Sequence, residues 1–267
     1  MKFLTADIYR FSAKSKIALT LVTILAGAGF TWPFFAPNQS IAHFAQYFFW
    51  FAVPTAAFLL IAQLSDSGLD AKSVALLGTL AALLAALRPL GAGAVGIEPM
   101  WFLLILAARV FGSAFGFLLG FLGMLTSALL TGGFGPWLPY QLFAAALVGL
   151  FAGALFQKMR GKSEILLLIF LAIASSLLYG LLMDLQFWPW ALGGDTQLSY
   201  QAGGAVVENL KRFIAFHFLS SMAWDIPRAV LTSVLVVATG PAVLSALRRT
   251  QLKASFLTPV EFIERSK

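Results

Sequence analysis

Apolar runs long enough to cross a lipid bilayer recur along almost the whole chain, and only short polar or glycine- and proline-rich segments separate them. The hydrocarbon core of a bilayer is about 30 Å thick, so a crossing helix needs roughly 20 apolar residues. Hydrophobic residues make up 60% of the 267 residues and charged residues only 11%, whereas a soluble domain is charged at about a quarter of its positions. The sequence therefore predicts an all-α, polytopic membrane protein without a water-soluble domain of any size.

Breaks at glycine, proline, asparagine or charged residues divide the chain into about eight predicted spans. These spans cover residues 17–35, 45–64, 73–90, 99–111, 113–131, 140–157, 164–187 and 213–245. The first span follows a basic leader and could be a signal peptide, but its aromatic continuation FTWPFF favours a helix that is retained.

Basic residues gather before the first span, after the sixth and after the last, and cytoplasmic loops of membrane proteins carry such an excess. With eight spans all three clusters share the cytoplasmic face, so both termini are predicted to be cytoplasmic. Lys211 and Arg212 fit less well, because they fall at the outer start of the last span. Although the net charge is +7, its concentration at span ends argues against a nucleic-acid partner.

The sequence offers little for catalysis or metal binding. Cysteine is absent, which excludes disulfides, thiolate metal sites and thiol nucleophiles. His43 and His217 lie far apart in sequence, so a histidine metal cluster is not expected. The triplet GKS at 161–163 resembles the end of a phosphate-binding loop, but Phe156 occupies the position of that loop's first glycine. We therefore predict a protein that is not an enzyme, has no ATPase site of its own, and holds no metal or cofactor.

Five ionisable residues interrupt the apolar runs, namely Arg88, Arg109, Asp184, Asp225 and Arg228. A charge near the bilayer centre costs at least about 2.5 kcal/mol, so each should face protein, water or a partner charge. Asp225 and Arg228 are three residues apart around a proline, which predicts an internal ion pair at a helix kink. Arg88 and Asp184 lie near predicted outer ends of spans and are better placed to contact a ligand.

Tryptophan is concentrated on the predicted outer side of the membrane. Only Trp224 falls in the middle of a span, and the others at or near outer ends are Trp32, Trp50, Trp101, Trp137, Trp188 and Trp190. Interfacial aromatic belts are one explanation, but they form at both membrane faces, so a one-sided concentration favours an aromatic-lined cup open to the outside. Such a cup would suit a flat or bulky organic ligand.

Small residues recur at four-residue spacing in several spans, and in lipid such spacing lets helix backbones approach closely. One glycine ladder runs through Gly112, Gly116 and Gly120, and another through Gly149 and Gly153. We expect both ladders to serve packing within this chain. The overlapping pairs Ala81–Ala85 and Ala82–Ala86 could instead face a helix of another subunit.

Several stretches together resemble a known family. They are LLGTLAALLAALRPLGAG (76–93), the run from EPMWFLL to FAGAL (98–155), YGLLMDLQFWPW (179–190) and WDIPRA (224–229), with GGFGPWLPYQ (132–141) the most specific. The chain resembles the substrate-binding S component of energy-coupling factor (ECF) vitamin transporters, and is most similar to the actinobacterial branch linked to cobalamin uptake. The resemblance covers most of residues 70–250.

The resemblance implies a six-helix S-component-like core at 70–250. An N-terminal segment at 1–69 would add two transmembrane helices before it, and a cytoplasmic tail at 251–267 would follow. It also implies a multi-pass subunit of a bacterial cell membrane that captures a vitamin, here cobalamin or another corrinoid, from outside. The subunit would work with a transmembrane coupling subunit and two cytoplasmic ATPases, and the family's AxxxA motif for the coupling subunit matches Ala81–Ala85 or Ala82–Ala86.

The family's ligand loops correspond to residues 91–98, 132–139 and 188–209, which the charge pattern also puts outside. Candidate substrate-binding residues in or beside these loops are Arg88, Glu98, Trp137, Tyr140, Gln141, Asp184, Trp188 and Trp190. Other functions remain open. One is binding of a different vitamin, a second is ion-coupled transport through Asp184 or Asp225, and a third is intramembrane catalysis by His217 and Asp225.

Overall fold

A computed structural model describes residues 12–35, 44, 71–91, 95–193 and 196–255. Helices are the regular secondary structure of these ranges, and none of the described residues forms a strand. The all-α prediction is therefore confirmed. The predicted span at 45–64 and most of the predicted tail at 251–267 lie outside the described residues.

Eight α-helices follow one another along the described ranges. They are α1 (Ala13–Thr31), α2 (Ala71–Leu87), α3 (Met100–Phe111), α4 (Ser113–Thr131), α5 (Leu138–Ala154), α6 (Lys162–Ala191), α7 (Val206–Ser220) and α8 (Met222–Ser255). Short 3-10 turns extend α1 at Trp32–Phe34 and α2 at Arg88–Gly91. Of these helices α1, α2, α4, α6 and α8 are long and apolar enough to cross a membrane, which agrees with a polytopic membrane protein.

The predicted last span, 213–245, is divided between two helices. Ser220 ends α7 and Ser221 forms the joint, where its Oγ donates a 2.6 Å hydrogen bond to Asp225 Oδ2 in the first turn of α8. Hydropathy does not register this joint because apolar residues continue on both sides. Residues 71–255 thus hold seven described helices where six core helices were predicted.

The extra helix also explains why two basic residues fitted a single long span poorly. Lys211 and Arg212 lie on α7, a separate helix that carries charge on part of its surface. Arg212 Nη1 donates to the carbonyl of Thr196 at 2.9 Å, and its Nε lies 3.4 Å from Glu208 Oε1.

The glycine ladders join α4 to α5. A Cβ added to Gly116 would collide with the carbonyl oxygen of Gly149, and one added to Gly149 would collide with that of Gly116. Gly120 meets the backbone of Ala145 in the same way. The two backbones therefore approach more closely than side chains would permit, which confirms the prediction of packing within the chain.

Helix α3 lies at the centre of the bundle. All of its residues except Phe102 are buried, although it has only 12 residues. Because its neighbours are protein rather than lipid, it does not have to match the thickness of a bilayer. It connects the two charged regions of the molecule, with Glu98 just before its start and Arg109 in its last turn.

One of these regions is the Glu164 cluster, which consists of Glu164, Arg109, Arg160 and Arg248. Glu164 is 2% exposed, and its Oε1 lies 3.0 Å from Arg109 Nε, 2.6 Å from Arg248 Nη2 and 3.6 Å from Arg160 Nη1. The remaining guanidinium nitrogens of Arg109 donate to the carbonyls of residues 155, 156 and 159 at 2.9–3.0 Å. The cluster therefore ties α3, α6, α8 and the α5–α6 loop together at one end of the bundle.

Candidate functional site

A cavity of about 650 Å³ opens at the end of the bundle away from the Glu164 cluster. Asp184, in its wall, lies about 30 Å along α6 from Glu164 at the helical rise of 1.5 Å per residue. The volume falls in the range of small-molecule sites, about 300–1,000 Å³. Its walls come from the turn after α2, the loop before α3, the start of α5, the end of α6 and the start of α8.

Six of the eight residues predicted to bind substrate line this cavity. They are Arg88, Glu98, Trp137, Gln141, Asp184 and Trp190. The other two lie in the core, outside the lining: Tyr140 packs its ring at 5.1 Å against Phe30 of α1, and Trp188 donates its indole N–H to the carbonyl of Leu198 at 2.7 Å. Neighbouring helix positions differ by about 100°, so Gln141 reaches the cavity while Tyr140 turns inward.

The loop before α5 brings Trp137 to the mouth of the cavity. Gly135 lies under its indole ring, and a Cβ at this glycine would collide with the ring. Trp137 stays half exposed beside Pro136, and the helix begins at the next residue with a proline in its first turn. The glycines and prolines of this segment thus hold an indole against the loop at the cavity rim.

Glu98 is the centre of a charged network on one side of the cavity. Its Oε2 accepts hydrogen bonds from Arg228 Nε at 3.0 Å and from Trp101 Nε1 at 2.9 Å, and its Oε1 lies 3.9 Å from Arg88 Nε. The loop before Glu98 approaches α8 closely at Gly96, which has a φ of 71°, and a Cβ there would collide with the carbonyl of Trp224. The network links α2, α3 and α8.

The predicted ion pair between Asp225 and Arg228 is confirmed, with 2.7 Å between Oδ1 and Nη1. The Arg228 guanidinium also lies 5.0 Å from the ring centre of Tyr179, a distance at which the ring quadrupole attracts a cation. Both charged residues line the cavity in addition to pairing with each other. Arg228 is therefore well bonded from several sides.

Arg88 is bonded much more loosely. Its Nη2 lies 3.4 Å from Gln141 Oε1 and its Nη1 lies 3.5 Å from Ser127 Oγ, both longer than a normal N–H···O bond. Its distance to Glu98 is 3.9 Å. The guanidinium therefore lies in the cavity wall without a short hydrogen bond among the described residues.

Asp184 joins α6 to α7 at the cavity. Its Oδ2 accepts a 2.9 Å hydrogen bond from Ser220 Oγ and lies 2.9 Å from His217 Nδ1. His217 therefore contacts Asp184, and the carboxylate of Asp225 contacts Ser221 and Arg228 instead. Among the described residues, His217 and Asp225 therefore make their short contacts with different partners.

Aromatic rings form the apolar part of the wall. Trp137, Phe187, Trp190 and Trp224 all line the cavity. Trp224 was expected in the middle of a span, but the joint at Ser221 places it near the start of α8. The polar group Ser220, Ser221 and Asp225 around this joint is the sequence signal that could have identified it.

An outer aromatic cluster adjoins the cavity and consists of Trp32, Phe34, Trp188, Trp190, Tyr200 and Phe213. Trp32, in the turn after α1, has its ring centre 5.9 Å from Trp190 and 5.7 Å from Tyr200. Phe34 packs 5.9 Å from both Trp188 and Phe213. Helix α1 thus contacts the end of α6 and the loop that follows it, and Trp190 belongs to both the cluster and the cavity.

The two alanine pairs of α2 lie on different faces. Ala81 and Ala85 are buried within the chain, whereas Ala82 and Ala86 are exposed. Gly78, one turn before Ala82, is exposed as well. Small side chains therefore cover part of the outward face of α2.

A family model described as ECF transporter, substrate-specific component, matches residues 72–240, well over half of the chain. The matched range contains every residue that lines the cavity and leaves α1 outside. No curated protein and no solved structure matches the chain significantly.

Proposed function

Since the chain belongs to the ECF transporter substrate-specific component family, it is a substrate-binding membrane subunit, and we propose that its substrate is a vitamin of the corrinoid type, such as cobalamin. The cavity described above is proposed as the binding site. The observation that carries this proposal is the combination of five aromatic side chains with amide and charged side chains around one cavity. A corrin ring is broad and flat and bears amide groups on its rim, so it could offer both kinds of contact.

In this proposal the cavity opens to the outside of a bacterial cell membrane, and the Glu164 cluster lies at the cytoplasmic end. Support comes from the charge pattern, because Arg160, Lys162 and Arg248 all lie at that end. Cytoplasmic ends of membrane helices carry such an excess of basic residues.

ECF substrate-specific components operate with a transmembrane coupling subunit and ATPases. For this chain we assign the coupling contact to α2, among the predicted residues Ala81, Ala82, Ala85 and Ala86. Exposure favours Ala82 and Ala86 for direct contact, since Ala81 and Ala85 are occupied by packing within the chain. A surface of small side chains would let a helix of the coupling subunit approach closely in lipid.

Binding by the purified chain tests the proposal. Cyanocobalamin should bind in the absence of ATP with one molecule per chain, and its visible absorbance should follow the protein through size-exclusion chromatography. The identity of any coloured molecule that co-purifies can be established by mass spectrometry. Binding of another vitamin, with none of cyanocobalamin, would rule out the corrinoid and keep the family function.

The Asp184–His217 contact is the one observation that favours a second candidate, an ion-coupled carrier, since a titratable pair in a cavity could exchange protons. Uptake into cells separates the two. A carrier would stop when an uncoupler removes the proton gradient at constant ATP, whereas an ECF importer would stop when ATP is depleted.

A further inference from the structure

The cavity wall carries more negative than positive formal charge. Its described lining contains two arginines, Arg88 and Arg228, and three carboxylates, Glu98, Asp184 and Asp225, for a formal charge of −1 with His217 beside Asp184 counted as neutral. Charges interact strongly where water is scarce, so a carboxylate or phosphate on a ligand would be repelled by this wall. The balance favours a ligand without net negative charge.

The two lining arginines differ in how tightly they are bonded. Arg228 makes contacts of 2.7 Å and 3.0 Å with the carboxylates of Asp225 and Glu98. Arg88 makes contacts of 3.4 Å or more, although a guanidinium has five N–H donors. A ligand that uses Arg88 must therefore present an acceptor, which an ammonium group cannot do.

Gln141 and Asp184 add further hydrogen-bonding groups to the lining. Gln141 offers its Oε1 to Arg88, so its amide nitrogen has two N–H donors for other partners. Asp184 receives both its Ser220 and its His217 contacts at Oδ2, and its Oδ1 makes no hydrogen bond with the described residues. The wall thus combines unused donors with an unused acceptor.

From these three observations we propose that the cavity selects neutral ligands through carboxamide or lactam groups. Arg88 and Gln141 donate to a ligand carbonyl oxygen, and Asp184 accepts from a ligand N–H. The aromatic rings of Trp137, Trp190 and Trp224 hold the flat part of the ligand. The inference rests on the proposed function only in taking this cavity as the substrate site, and it does not require the substrate to be a corrinoid.

The first test compares matched ligands that differ in one group. Calorimetric titration of the purified chain would use cyanocobalamin and its monocarboxylic acid, in which one side-chain amide is hydrolysed, then riboflavin and its phosphate, then biotin amide and biotin. The neutral member of a pair should bind at least about 10-fold more tightly, the usual scale for one charged hydrogen-bonding group. Equal or tighter binding of the anionic member would overturn the inference.

The ligand pairs also separate this inference from the corrinoid proposal. If the chain prefers the neutral member of another pair and does not bind cyanocobalamin, the inference is supported and the corrinoid proposal is wrong. Preference for a carboxylate or phosphate removes the inference and leaves a vitamin-binding subunit. If no member binds, both fail.

Substitutions test the assigned roles. R88Q should weaken binding of the neutral ligand roughly 10- to 100-fold, and Q141L, which removes the second donor at similar volume, should weaken it less. D184N removes a negative charge, so it should reduce the ratio of the affinities for the amide ligand and the acid ligand. General loss of structure would not change this ratio. R249Q, on the exposed surface of α8, is the control and should leave every affinity unchanged. An R88Q variant that remains monodisperse and binds as tightly as the original chain would refute the role of Arg88.

Discussion

Replacing Trp32 with alanine tests whether α1, which lies outside the family-matched range, supports the cavity. Trp32 is 8% exposed and packs against Trp190, which lines the cavity, and against Tyr200. Aromatic pairs contribute about 0.5–1.5 kcal/mol each beyond their burial, so the loss of the two ring pairs alone should weaken the attachment of α1 by about 1–3 kcal/mol.

Ligand affinity should fall only as far as the loss of Trp32 displaces Trp190. If Trp190 is released from its position, one aromatic contact with the ligand is lost, which corresponds to a Kd raised roughly 2- to 12-fold. Calorimetric titration with cyanocobalamin, or with whichever ligand the purified chain binds, measures this change without relying on tryptophan fluorescence.

The matched control is Phe35→Ala. Phe35 is an aromatic residue of the same segment, but it is 75% exposed, so its removal should leave the Kd unchanged. An unchanged Kd for Trp32→Ala would mean that α6 holds Trp190 without help from α1. An equal loss in both variants would point to general damage of the segment, and the argument from the ring contacts would fail.

Three further outcomes are expected. Leucine at both Ala82 and Ala86 should block uptake in cells while leaving ligand affinity intact. The control Ala85→Leu should reduce the amount of folded protein, because that position is buried. Lost binding in the double variant would mean that the exposed pair is needed for folding. Trp137→Ala should raise the Kd about 10-fold in titration, as one ring of the wall is removed, and an unchanged Kd would exclude the rim loop from the site. Glu164→Gln should lower the midpoint of thermal unfolding, since leaving a buried charge unpaired costs about 3–5 kcal/mol. A ligand affinity that fell in parallel would contradict the independence of the cavity from the Glu164 cluster.

Much of the fold follows from hydropathy, because each helix in lipid must be a long apolar run. The joint between α7 and α8 was missed for the same reason: a window of apolar residues has the same mean hydropathy whether or not a helix ends within it. The polar pair Ser220 and Ser221 is too short to alter that average, although both of its hydroxyl groups form hydrogen bonds at the joint.

The polar lining of the cavity was largely predictable because polar residues are rare in this chain. Each of them within an apolar run had to have a partner or a ligand, and Arg88, Asp184 and Gln141 all line the cavity. This reasoning does not predict which aromatic side chains face the core and which line the cavity, because an apolar ring can pack in either place. Trp188 is fully buried and Trp190, two residues later, lines the cavity.

The two ends of the bundle differ in mechanical compliance. At the Glu164 end, separating α3, α6 and α8 would strip a buried carboxylate of its guanidinium partners, so that end resists opening. At the cavity end, the polar contacts of Arg88 with α4 and α5 are 3.4–3.5 Å long, and such long contacts yield at small cost. Moving Arg88 away from α4 and α5 therefore breaks weaker polar contacts than separating α3, α6 and α8 at Glu164.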